Sequence, residues 1–101
     1  RSNGKFLRIS FHDIIYIEGM KDYLKIHTIE HTIVTHQTMS EMESILPSEQ
    51  FLRIHKSYIV SVARIKAVFG NSVDMGTSLL PIGVFYKEKI MQFISGRPSG
   101  F

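Results

Sequence analysis

The chain has 101 residues, the length of one domain, and a chain near this size buries roughly two thirds of its unfolded surface. It has no cysteine, which excludes disulfides, thiol nucleophiles and cysteine-held zinc and fits a reducing, cytoplasmic setting. Its longest purely apolar run, Ile14 to Ile17, is far too short to span a bilayer, so no membrane partner is expected. A net charge of +3 leaves nucleic acid and acidic proteins both open as partners, so the placement of the charges matters more than their sum.

Lys5 to Phe11 mixes aromatic, β-branched and basic residues and predicts a strand, broken at His12-Asp13 before a buried strand at Ile14 to Ile17. Gly19 permits a turn amid the charges of Glu18, Lys21 and Asp22. Leu24, Ile26 and Thr28 then alternate with Tyr23, Lys25 and His27 at period two, the mark of a half-buried strand. Thr32 to His36 repeats the β-branched signature, so Tyr23 to His36 predicts an antiparallel hairpin. A turn centred on Glu30-His31 would set Lys25 opposite His36 and bring His27 and His36 diagonally onto one face.

Thr38 and Glu41 form a capping-box pattern, and Met39, Met42, Ile45 and Leu46 share a face at helical spacing until Pro47 ends the helix. Glu41, Glu43 and Glu49 put acidic charge around this helix, which predicts a covering element kept apart from the basic stretch that follows. After that stretch, Ala63 to Phe69 and Ser72 to Met75 flank a Gly70-Asn71 turn and predict a second hairpin. Pro81 lacks a ladder donor and marks Ser78 to Ile82 as an edge strand. A last helix follows Gly83, with Tyr86, Ile90, Phe93 and Ile94 on one face and Lys87, Glu88 and Lys89 on the polar side. Gly96 to Phe101 is expected to be a flexible tail.

The stretch FLRIHKSYIV, Phe51 to Val60, carries Arg53, His55, Lys56, Ser57 and Tyr58 with no acidic residue, and from Gln50 to Met75 the only carboxylate is Asp74. With Arg64 and Lys66 these cations predict one basic patch suited to an anionic partner. His55 is expected to orient its turn through a backbone hydrogen bond, and Tyr23 and Tyr58 are either core residues or platforms for base stacking. Lys21 and Lys56 stand at breaks between strands, where loops carry function.

Other chemistries lack their constellations. His27 and His36 are two ligands where zinc takes three or four, and no HExxH spacing exists. Ser57, His55 and Asp74 can be drawn as a triad, but no GxSxG elbow is present to expose the serine. The glycines are scattered singly and build no phosphate loop. No enzyme activity, metal or cofactor is expected.

Taken in order, IIYIEGMKDYLKIH, the capped helix, FLRIHKSYIV and LPIGVFYKEKI resemble the LytTR DNA-binding domain of bacterial response regulators. The strongest motifs are Tyr16-Ile17-Glu18 followed by Tyr23, and the run from Phe51 to Val60. The resemblance covers nearly the whole chain. It implies a mainly β fold of short antiparallel strands in small stacked sheets with two short helices, which reads DNA through loops and not a recognition helix. It also implies that Gly19 to Tyr23, the turn at His55 to Ser57 and the segment Gly83 to Lys87 approach double-stranded DNA.

The residues expected at that interface are Lys21, Asp22, Tyr23, Arg53, His55, Lys56, Ser57, Tyr86 and Lys87. The implied role is transcriptional regulation as the output domain of a two-component regulator, with a receiver domain upstream and a second copy on an adjacent DNA site. A start at Arg1 without methionine or signal segment reads as a piece of such a longer protein. The rival reading is a protein-interaction β domain that turns the same basic surface to an acidic partner. The chain departs from the family where Ser61 stands in place of asparagine and where Gly83-Val84 stands in place of serine-arginine. An arginine there reads guanine bidentately, whereas Val84 offers only apolar contact, as to a thymine methyl.

Overall fold

The computed structural model describes residues 8–96 and arranges them as two antiparallel sheets with two helices. Ile14–Gly19 (β1), Leu24–Thr28 (β2), Thr32–Thr35 (β3), Phe51–His55 (β4) and Tyr58–Ser61 (β5) form a five-stranded sheet in the order β3-β2-β1-β5-β4. Ala67–Phe69 (β6), Ser72–Asp74 (β7) and Leu79–Pro81 (β8) form a three-stranded sheet in sequence order. Met39–Ile45 is helix α1 and Lys87–Ser95 is helix α2, with 3-10 turns at Phe11–Asp13, Val62–Arg64 and Val84–Tyr86. This is the fold class expected from the sequence.

The central strands of the larger sheet are buried on both faces, which is why they read as nearly continuous apolar runs. Ile17, Ile26, Ile33 and Ile59 point to one core, closed by Met42 and Leu46 at α1. Tyr16, Leu52, Ile54 and Val60 point to the other, closed by Val73 and Leu80 of the small sheet and Ile90 of α2. Ile17 and Ile54 are fully buried, and each such side chain contributes roughly 1.5–3 kcal/mol by leaving water. The small sheet does not cover β2 and β3, so Lys25, His27, Thr32 and Val34 keep the wet alternation seen in the sequence.

Local signals explain the edges of the elements. Thr38 Oγ1 accepts from the Glu41 amide at 3.1 Å while Glu41 Oε1 accepts from the Thr38 amide at 2.8 Å, completing the expected capping box. Met42 and Leu46 face the core, Met39 packs against it, and Ile45 of the same expected face is instead exposed. Gly70 adopts φ 58° at the turn joining β6 to β7, a conformation glycine takes without steric penalty. Pro81 closes β8 at the edge of its sheet, as its missing donor requires.

Two expectations are corrected. Residues 5–7 of the first predicted strand lie outside the described residues, and the rest of it is not a strand. Ser10 Oγ accepts from the His12 amide at 3.2 Å and caps a 3-10 turn. Ile9 packs on the α1-side core and Phe11 sets its ring edge-on to Phe51 at 6.1 Å, so these apolar residues cover a core without pairing in a ladder. The β2–β3 hairpin turns on Ile29-Glu30, one residue earlier than expected. Thr28 Oγ1 accepts from the His31 amide at 3.1 Å and donates to the His31 carbonyl at 2.7 Å, which closes the turn there. Lys25 therefore pairs with Val34, and His27 with Thr32. His36 lies beyond β3 against the Tyr23 ring. Of the expected tail, residues 97–101 lie outside the described residues.

Candidate functional site

Antiparallel pairing brings the end of β1, the start of β2, the end of β4 and the start of β5 to one end of the larger sheet. The loop 20–23 and the tip 56–57 are thereby neighbours. The Gly19 amide donates to the Ser57 carbonyl at 2.7 Å, and the Met20 amide donates to the Tyr23 carbonyl at 2.8 Å. A Cβ on Gly19 would stand 3.0 Å from Met39 Cγ and 3.5 Å from Ser57 Cα, so the approach of loop to tip leaves little room for a side chain.

The third segment is held from the other side. The Gly83 amide donates to the Ile54 carbonyl at 2.8 Å and the Tyr86 amide to the Gly83 carbonyl at 2.9 Å, which docks Val84–Tyr86 along the outer edge of β4. Gly83 is closely packed too, since a Cβ there would meet Tyr86 Cδ2 at 3.0 Å and His55 Cα at 3.4 Å. The three segments expected to act together therefore converge at one end of the sheet, with the β4–β5 tip in the middle.

Within the tip, a register shift between Arg53 and His55 re-aims the end of β4. His55 Nδ1 accepts from the Ser57 amide at 3.0 Å, the expected turn-orienting bond, which leaves the ring proton on Nε2. Arg53 is tied inward. Its guanidinium donates to the Lys56 carbonyl at 2.8 Å and the His55 carbonyl at 3.4 Å, lies over the Tyr86 ring at 5.7 Å, and pairs with Glu43 at 3.0 Å. The acidic helix is thus not kept apart from the basic stretch: α1 covers the sheet face on which Arg53 lies, and Glu43 reaches across to it.

Lys21, Asp22 and Lys56 are exposed, while Tyr23, Ser57 and Tyr86 are half-buried. Lys87 is exposed and leans toward the small sheet, its Nζ donating to Asn71 Oδ1 at 2.9 Å. The single basic patch expected from Arg53, Lys56, Arg64 and Lys66 is not formed. Phe51 pairs with Ser61 at one end of the β4–β5 hairpin and His55 with Tyr58 at the other, a separation of roughly 13 Å at about 3.3 Å per residue. Lys56 sits at the tip, whereas Arg64 follows the far end and donates to the His12 carbonyl at 2.8 Å.

Behind the loops a polar lattice stiffens the sheet. Glu18 accepts from His27 Nε2 at 3.0 Å, and His27 stacks on Tyr16 with ring centroids 4.2 Å apart. Burial first, then the nearby Glu18 carboxylate, raises the Tyr58 pKa above the usual 10.0. Tyr58 is half-buried and packs against the core, as the core reading of this residue expects. The paper triad is not assembled, because His55 Nδ1 is taken by the Ser57 amide and Asp74 Oδ1 accepts from the Gly76 amide at 2.8 Å. Among the described residues no group of three histidine or carboxylate side chains can hold a metal ion, and no helix is long and apolar enough to cross a membrane.

One residue escaped the sequence reading. Phe85 is 95% exposed and Val84 is 80% exposed at this same end. The signal was present, since Val84-Phe85 follows Gly83 and falls off the helical face set by Tyr86, Ile90 and Phe93.

The model of the LytTr DNA-binding domain family matches residues 4–80. The chain belongs to the LytTr DNA-binding domain family. It is 35% identical over 77 residues to the CO-responsive transcriptional regulator RcoM of Rhodospirillum rubrum, an alignment covering 69% of this chain and 33% of RcoM. It is 30% identical over 88 residues to the sensory transduction protein LytT of Bacillus subtilis, covering 81% of this chain and 36% of LytT. The chain thus spans about a third of the length of these relatives. A solved LytTr DNA-binding domain from Bacillus cereus superposes with a TM-score of 0.85, covering 96% of this chain and 94% of that one at 22% identity, and so shares its fold. The matched segment takes in two of the converging elements, the loop after β1 and the β4–β5 tip, and stops before the third.

Proposed function

We propose that this LytTr domain is the output domain of a bacterial transcriptional regulator and reads duplex DNA with the three loops gathered at one end of its larger sheet. The observation that carries the reading is that convergence: residues 20–23, 56–57 and 83–87 are far apart in sequence and are joined by the Gly19–Ser57 and Gly83–Ile54 backbone bonds. Lys21 and Lys56 reach base edges, where a lysine donates to guanine O6 and N7, and Asp22 accepts from a cytosine amino group. Ser57 and Lys87 bind phosphates, which fixes position and supplies much of the affinity. His55, Arg53 and Tyr86 hold the tip in place, with Arg53 adding its charge, and Tyr23 supports the first loop.

The names of the relatives, a sensory transduction protein and a CO-responsive regulator, support a sensing or receiver region in the same polypeptide. A domain this small covers a short stretch of duplex, so genomic specificity calls for a second copy on an adjacent site. Selection from a random duplex library, followed by titration of the winning sequence, tests the reading. A consensus bound at least 1,000-fold above random duplex, roughly the lower bound for specific binders, is expected. Equal affinity for all duplexes, or none, overturns it.

A further inference from the structure

We infer that Phe85, with Val84 beside it, is an apolar specificity determinant that reads thymine through its 5-methyl group. The inference rests on the DNA-reading proposal above and deepens it. Phe85 is 95% exposed and Val84 80%, whereas the other large apolar side chains exposed among the described residues lie between 37% and 59%. Both stand on a 3-10 turn fixed at its base by the Gly83–Ile54 and Tyr86–Gly83 backbone bonds, so they are presented by a held segment. Tyr86, next in the chain, packs against the core and anchors the turn.

Everything else exposed on the neighbouring loops, apart from Met20, is charged or polar, so this doublet meets a different part of the same ligand. A phosphate ridge offers a phenyl ring nothing. Within the grooves of B-DNA the base edges present donors and acceptors, and the one apolar group among them is the thymine methyl in the major groove. A phenyl ring is also shorter than the lysine side chains on the flanking loops. Contact with a methyl at the base edge asks for less reach than the entry between stacked pairs that a kinking wedge makes.

The test uses the operator obtained by selection and replaces its thymines one at a time with deoxyuridine, which deletes only the methyl. Burial of one such carbon is worth about fourfold in affinity, so Kd is expected to rise about fourfold at one or two thymines for the unsubstituted chain. Phe85→Ala is expected to weaken the intact operator and to bind thymine and deoxyuridine versions alike. Its thermal melt should match that of the unsubstituted chain, because the ring contributes almost nothing to the core.

Sensitivity to deoxyuridine that persists in Phe85→Ala, or is absent at every thymine, overturns the inference while leaving the DNA reading intact. So does a rise in 2-aminopurine fluorescence that Phe85→Ala abolishes, since that reports unstacking by a wedge. If no operator emerges from selection, the DNA reading fails and this inference falls with it.

Discussion

His55 Nδ1 accepts the Ser57 amide at 3.0 Å, and this bond closes the β4–β5 tip at the centre of the converging loops. The bond gives the histidine a positioning role that does not require it to touch DNA. His55→Ala is expected to weaken operator binding by roughly 1 kcal/mol or more, about the net value of a hydrogen bond. His55→Asn, whose side-chain oxygen can accept from the same amide as in an Asx turn, should recover most of the loss. Amide exchange at Ser57 provides the second readout: it should quicken in the alanine variant and be restored in the asparagine variant. Equal affinity for all three chains would remove the role.

The separation of the cations makes a prediction about salt. Each phosphate contact contributes about −0.9 to the slope of log K against log salt. Lys56→Ala, Lys21→Ala and Lys87→Ala should all bind less tightly, with Lys87→Ala losing about one contact's worth of slope on every duplex. Lys21→Ala and Lys56→Ala should in addition relax base preference at one position. Arg64→Gln lies at the far end of the hairpin and should change neither affinity nor slope. A loss of slope in Arg64→Gln equal to that in Lys87→Ala would put the DNA on a different face.

The Arg53–Glu43 pair separates a surface charge effect from support of the tip. Glu43 is largely exposed, with its side chain at 45% of full accessibility, and Glu43→Gln should cost at most about 1 kcal/mol in a urea melt, as exposed pairs do. Arg53→Ala loses two carbonyl contacts and the Tyr86 ring as well. It should cost about 1–3 kcal/mol and weaken DNA binding. Equal losses in the two variants would mean that the carbonyl contacts contribute nothing.

Tyr58 predicts a response to alkali. Its folded pKa lies above the ordinary 10.0, so below pH 10 both folded and unfolded chains keep the proton and nothing is lost. Above pH 10 the unfolded chain releases the proton first, and stability falls as pH rises toward the folded pKa. Thermal melts between pH 9 and pH 11 should show a shallower decline for Tyr58→Phe than for the unsubstituted chain. A decline of equal steepness would show that the Glu18 neighbour and burial do not act on this hydroxyl.

Features whose causes lie within a few residues are legible in the chain alone. Alternation of Leu24 and Ile26 with Lys25 and His27, the Thr38–Glu41 capping box, the stop at Pro47 and the placement of Pro81 at an edge are all short-range physics. The His55–Ser57 bond spans two residues and was legible for the same reason. The motif run from Phe51 to Val60 carried the family because it packs the tip, its buried flanks and its basic residues into one continuous segment.

Features that depend on chain reversal and on contacts between distant segments follow only from the folded arrangement. Lys56 and Arg64 are eight residues apart, yet the return of β5 alongside β4 carries them to opposite ends of the sheet. Gly19, Ser57 and Gly83 are far apart in sequence, yet pairing gathers them at one end. The β2–β3 register lies two residues from the one that β-branched patterning specifies, and Thr28 closes the turn on His31 through both its backbone and its hydroxyl. Phe85 shows the same division. Its type was visible in the chain, but its exposure follows from the docking of Gly83 on β4, which leaves the ring on the outer side of a turn whose inner side is already filled by Tyr86.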